Sequence, residues 1–99
     1  MGHMLDKEKS NQIRALVKEF DKYTDKGWMC EGSEYYDNRT NKYKPCNIIF
    51  NNNTDECFQA KYDGSLVDEF EARTIISVTR SEMLDMVKIQ GKIMLIAES

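Results

Sequence analysis

Few residues in this chain of 99 have types and spacings that could do chemistry. Gln59, Ala60 and Lys61 lie where polar and apolar residues alternate, and a strand there would aim the Gln59 amide oxygen and the Lys61 ammonium to one side. Carboxylates are paired at Asp55 with Glu56 and at Glu69 with Glu71, as general acid–base work would need, although an exposed strand face carries such pairs equally well. Histidine occurs only at position 3, within Met1-Gly2-His3-Met4, a stretch that reads as an expression-tag remnant over residues 1–4. Without His3 the chain has no Ser-His-Asp or Cys-His machinery and no histidine-containing metal site. Cys30, Cys46 and Cys57 are odd in number and lack Cys-x-x-Cys spacing, so reduced and mostly packed thiols are expected. No glycine-rich phosphate loop is present, and no cofactor is expected.

Gln59-Ala60-Lys61 resembles the (D/E/Q)-x-K portion of the PD-(D/E)XK nucleases, in which alternate strand residues present a metal-binding oxygen and a lysine to the same phosphate. The resemblance covers three residues. It implies a metal-dependent nuclease using Gln59 and Lys61, with a further acidic metal ligand on the preceding strand. Here that strand, Cys46 to Phe50, has no acidic residue; Asp37 lies in the loop before it and Asp55 in the turn after it. Nuclease activity is therefore the second alternative rather than the favoured reading.

Two surface chemistries compete for the remainder. Tyr35 and Tyr36, with Trp28 nearby and Arg39, Lys42, Tyr43 and Lys44 following, make an aromatic and basic cluster of the kind that stacks bases and holds phosphates of single-stranded nucleic acid. Protein interfaces use the same residues. The net charge of −3 conceals an acidic half: residues 55–85 carry eight anions against Lys61, Arg73 and Arg80. A duplex-DNA binder would show the opposite sign, whereas an acidic face steers association with a basic protein. The expected function is a small, non-enzymatic protein-binding accessory or inhibitory module of immunity, antitoxin, anti-defence or chaperone type. Asp63, Asp68, Glu69 and Glu71 would face the partner, and Trp28, Tyr35 and Tyr36 would anchor it. A single-stranded nucleic-acid-binding domain using Tyr35, Tyr36, Arg39, Lys42 and Lys44 is the first alternative, and a homodimer through an exposed edge strand remains open.

The elements that would position these groups form one α+β domain over residues 5–99. An N-terminal helix from about Leu5 to Lys26 carries Ile13, Leu16, Val17, Phe20 and Tyr23 as one apolar stripe, with Gly27 at its C-cap. Trp28 to Glu31 reads as a short strand that Tyr35-Tyr36 continues, and residues 37–42 as a loop. Cys46, Ile48 and Phe50 share one face of the next strand; Phe58, Ala60 and Tyr62 repeat at period two after the Asn51-Asn52-Asn53-Thr54 turn. Asp63-Gly64 predicts a type I′ reversal. Residues 66–78 then read as a long bent strand, with a capping box at Ser65-Leu66-Val67-Asp68 and one helical turn as the competing reading. Thr79 opens a second helix ended by Gly91, and Lys92 to Ala97 reads as a last strand buried on both faces. The N-terminal helix would thus pack on a four- to five-stranded, mainly antiparallel sheet, with the short second helix placed before the last strand. No apolar run is long enough to span a bilayer, so a cytoplasmic location is expected.

Overall fold

The computed structural model describes the backbone of residues 2–99 and the side chains of residues 6–99; Met1, in the stretch read as a tag remnant, lies outside the described residues. In chain order the elements are α1 (Gly2–Thr24), β1 (Trp28–Asp37), β2 (Lys42–Asn51), β3 (Cys57–Ala60), α2 (Glu69–Ala72) and α3 (Arg80–Glu98). The strands form an antiparallel sheet in the order β1-β2-β3, with α1 and α3 packed together on one face. The two long helices run in opposite directions. Lys9 reaches the Ser99 carbonyl at one end, while at the other Tyr23 Oη donates to Asp85 at 2.6 Å and Lys26 pairs with Glu82 at 3.7 Å.

Register decides which residues fill the core. Cys30 pairs with Ile49, Ile49 with Phe58, and Asn47 with Ala60, so these side chains share the helix-covered face. Cys46, Ile48 and Phe50 do share a face, but it is the outer one. Under the helices Trp28 meets Phe58 edge to face with ring centroids 6.1 Å apart, and Phe20, Tyr23, Ile75, Met83, Met86, Val87 and Ile89 close around them. Burial of each such large side chain stabilises the fold by about 2 kcal/mol.

The inward parity of β2 also brings in Asn47 and Asn51, both buried. Asn51 answers for its burial. Its Oδ1 accepts from Asn53 N at 2.7 Å and Thr54 N at 3.1 Å, and its Nδ2 donates to Lys26 O at 3.2 Å. Asn53 Nδ2 donates to the same carbonyl at 3.1 Å. The asparagine-rich turn therefore fastens the turn that follows α1, satisfying the Lys26 carbonyl. Gly27 makes the close approach feasible: its φ is 102°, and a Cβ there would lie 2.6 Å from Asn53 Nδ2.

Four sequence expectations are corrected. The sheet has three strands, not four or five, because residues 92–97 continue α3 instead of forming a strand. An apolar run without alternation satisfies a helix as readily as a buried strand. Gly91 does not stop the helix but sits buried in its middle, where the Tyr62 backbone crosses; a Cβ would lie 3.0 Å from the Tyr62 carbonyl carbon. The long strand over residues 66–78 is likewise absent. Leu66 makes a single bridge to Ala60, and the chain then turns into α2 with Asp68 as its cap, so the helical turn foreseen after Ser65 begins later. At Asp63-Gly64 only Gly64 takes positive φ (94°), so the reversal is not type I′, and Lys61 N closes it by donating to Ser65 O at 2.8 Å. The capping box of Thr79 and Glu82 is present as expected. No described helix is long and apolar enough to cross a membrane.

Candidate functional site

The outward backbone groups of β3 would be unpaired if nothing crossed them. Residues 65–71 cross them. Val67 N donates to Gln59 O at 3.2 Å, and the Glu71 carboxylate accepts from Gln59 N at 2.9 Å. Asp68 Oδ1 accepts from Phe70 N at 2.8 Å, which fixes the start of α2. Further along, Glu56 holds the segment from the turn before β3. Its carboxylate accepts from Thr54 Oγ1 and Ile76 N, both at 2.7 Å, from Ser77 N at 3.2 Å, and from Ser77 Oγ. Burial alone would raise the Glu56 pKa, but these hydrogen bonds to Ser77, Ile76 and Thr54 prevail and bring it to about 2.

Residues 68–77 are thus clamped at both ends, and Ala72 and Ile75 pin the underside into the core. The upper side carries two large apolar side chains in water. Phe70 is 76% exposed and Ile76 is 88% exposed. Asp68 and Glu69 stand beside Phe70; Glu69 pairs with Arg80 at 3.0 Å, and the Arg73 guanidinium lies 5.9 Å from the Phe70 ring centre. The arrangement is two exposed apolar side chains on one preorganised segment, with both acidic and basic groups beside Phe70.

The residues singled out from sequence fall into separate places. Asp63 accepts from Ser65 N at 2.9 Å and Ser65 Oγ at 2.6 Å, which lowers its pKa. Asp68 caps α2, Glu71 bonds β3, and Glu69 is held by Arg80, whose hydrogen bond lowers the Glu69 pKa. All four acids therefore hold their own chain, along or near the β3 edge. Trp28 is 1% exposed and belongs to the core, so its surface offers a partner nothing. Tyr35 and Tyr36 belong to β1 at the opposite edge. Tyr35 is half-buried with Lys61 Nζ 5.2 Å from its ring centre, whereas Tyr36 is exposed, packs edge to face on Tyr43 at 5.2 Å and donates to Asn41 Oδ1 at 3.2 Å.

Of the basic group, Lys44 pairs with Asp37 at 2.8 Å, and Arg39 and Lys42 are exposed at the hairpin turn. Lys61 is drawn to the Tyr35 ring and Gln59 N–H to Glu71, and among the described residues no three His, Cys, Asp or Glu side chains gather where they could hold a metal ion. Cys30 is partly buried, Cys46 buried and Cys57 exposed; desolvation pushes the Cys30 thiol up to about 12. Sequence reasoning passed over Phe70 and Ile76. The signal was local: Phe70 stands between two glutamates, and of the adjacent Ile75 and Ile76 only one can face inward. Compared with protein-family models, curated proteins and solved structures, the chain matches none, so its function is argued from this geometry.

Proposed function

We propose that the chain is a non-enzymatic module that binds a protein partner with a basic surface, in an accessory or inhibitory role, through residues 68–77. The carrying observation is the exposure of Phe70 (76%) and Ile76 (88%) on a segment clamped by Glu56, Asp68 and Glu71. Single exposed apolar residues are ordinary. Two on one fixed segment supply contact area at low entropic cost, which is what an interface anchor requires. Asp63, Asp68, Glu69 and Glu71 contribute a negative field rather than free ion-pairing groups, since each is already engaged. That field steers a basic partner toward the apolar pair. A reducing cytoplasm fits the exposed Cys57 thiol.

The test is capture from the native host with wild type and with the Phe70→Ser, Ile76→Ser double variant, at low and moderate salt. Wild type should retain one stoichiometric basic partner, and the variant should bind it about thirtyfold or more weakly with an unchanged melting temperature. Equal retention by both would remove the surface from consideration.

A second reading has its own observation. Tyr36 and Tyr43, the latter 69% exposed, stand as a pair beside Arg39 and Lys42 at the hairpin turn, a platform on which a base could stack. Affinity for single-stranded nucleic acid that stays flat as salt rises, or is absent, would dismiss it.

A further inference from the structure

The β1 edge differs from every other strand border in the molecule. Asn51 N donates to Glu56 O and Asn52 N to Gly27 O, and the alternation of an antiparallel ladder follows from these two bonds. It turns the backbone groups of Met29, Glu31, Ser33 and Tyr35 toward β2 and those of Cys30, Gly32, Glu34 and Tyr36 away from the sheet. Among the described residues, none of these outward groups bonds to another element. The edge is ten residues long, its pairing with β2 is uninterrupted, and it carries no lysine and no proline. Of the usual devices that keep a strand edge from pairing it has only charge, from Glu31, Glu34 and Asp37. At its centre Gly32 is exposed, and nothing would lie within 4 Å of a Cβ there.

Two further features describe what the edge accepts. Beside its first residues, on the helix side of the sheet, runs an apolar groove of about 230 Å³ lined by Val17, Phe20, Trp28, Met29 and Cys30 among others. A separate hollow that shares Val17 is lined by Ile13, Arg14, Ala15 and Lys18, whose two cations would favour an occupant only in the first groove. Side chains projecting to that side from an added strand would fill that first groove. Glu31 and Glu34 flank the edge on opposite faces, both exposed, and neither takes part in an ion pair among the described residues. Two copies of β1 set side by side would bring four such carboxylates together with no cation from either strand. Like charges across a strand pair are destabilising, whereas lysine or arginine there is favourable.

We propose that the free edge of β1 takes up an extended, basic polypeptide segment as a fourth strand, with its apolar side chains in the groove between α1 and β1. This surface is opposite the Phe70–Ile76 patch and does not depend on it.

The probe is a short, terminally blocked peptide alternating lysine and valine, compared with its glutamate–valine counterpart and with a version N-methylated on alternate amides. Binding is followed by fluorescence anisotropy and by amide hydrogen exchange. The lysine–valine peptide should bind at least about tenfold tighter than the other two and should protect the amides of Cys30, Gly32, Glu34 and Tyr36. Gly32→Pro, which removes an outward N–H while leaving the β2 ladder intact, should abolish binding without lowering the melting temperature. Glu31→Lys with Glu34→Lys should invert the preference between the two charged peptides. Equal affinity for all three peptides, protection elsewhere, or undiminished binding by Gly32→Pro would overturn the proposal. So would a dimer in sedimentation equilibrium that Gly32→Pro dissociates, since the occupant would then be a second copy.

Discussion

The two edges of this sheet solve one problem in opposite ways. Beyond β3, Gln59 gives its N–H to Glu71 and receives Val67 N–H at its carbonyl, and Lys61 N–H goes to Ser65, so the border is closed by the chain itself. Beyond β1, the outward groups from Cys30 to Tyr36 meet no other element among the described residues. Closing the first edge needs residues 61–77 to cross it, and the crossing then displays Phe70 and Ile76. Leaving the second open leaves main-chain groups on display. Each edge thus displays a different kind of surface, apolar side chains at one and backbone donors and acceptors at the other.

The largest effect should come from prising the closed edge off its support. The crossing rests on α3 where the Tyr62 backbone passes Gly91, and Gly91→Val would force a branched side chain into contact with that backbone. Overpacking of this kind should destabilise by about 3 kcal/mol, read as the denaturation midpoint at constant m-value. A loss under about 0.5 kcal/mol would mean that the crossing is not seated on the helix at all.

A smaller effect is tied to pH. The Glu56 carboxyl falls from its ordinary value of 4.5 to about 2 in the fold, so the folded state resists its protonation. Its contribution is present above about pH 4.5 and is lost as pH falls toward 2. Part of the group faces water, which screens its interactions, so the contribution is about 1 to 2 kcal/mol, less than the shift alone implies. The stability difference between wild type and Glu56→Gln should be constant from neutral pH to about 5 and shrink below it. A difference that does not change with pH would show that the bonds to Ile76 and Ser77 are not made by the charged form.

What the sequence disclosed of these edges follows the range of the forces involved. Local signals served well: Thr79 and Glu82 cap α3, and the period-two residues of β2 and β3 form a hairpin, whereas α1 ends at Thr24, three residues short of Gly27. Signals whose meaning depends on distant chain did not. Gly91 reads as a helix stop until Tyr62 is seen lying against it, and Glu71 reads as a solvated acid until Gln59 N–H is seen at its oxygen. Asn47 and Asn51 look like surface residues although register turns both inward; Asn51 finds three bonds there, while Asn47 is buried with no protein partner for either side-chain polar atom. Trp28 attracted attention as an aromatic anchor because burial is not written in residue type.

The comparison can be sharpened at a single bond. Glu71→Ala removes the acceptor of Gln59 N–H and should cost about 1 kcal/mol, a modest global change. Its local signature should be clearer, because exchange of the Gln59 amide should quicken by roughly the factor of five that such a loss implies. Unchanged exchange would assign the closure to Val67 and Ser65 alone.

The gentlest test alters no residue. In wild type, hydrogen exchange along β1 should alternate, with Glu31, Ser33 and Tyr35 amides slow and Cys30, Gly32, Glu34 and Tyr36 amides fast, while Gln59 and Lys61 at the other border are protected. The alternation has only one source, since inward N–H groups are shielded by β2 and outward ones by nothing. Uniformly slow exchange along β1 would mean that something already occupies the edge in solution. Repeating the measurement on dilution then separates the cases: protection that fades as the protein is diluted comes from another copy, and protection that persists comes from within the chain. Either result would abolish the contrast between the two edges. A clean alternation leaves β1 as a border with its hydrogen-bonding capacity intact.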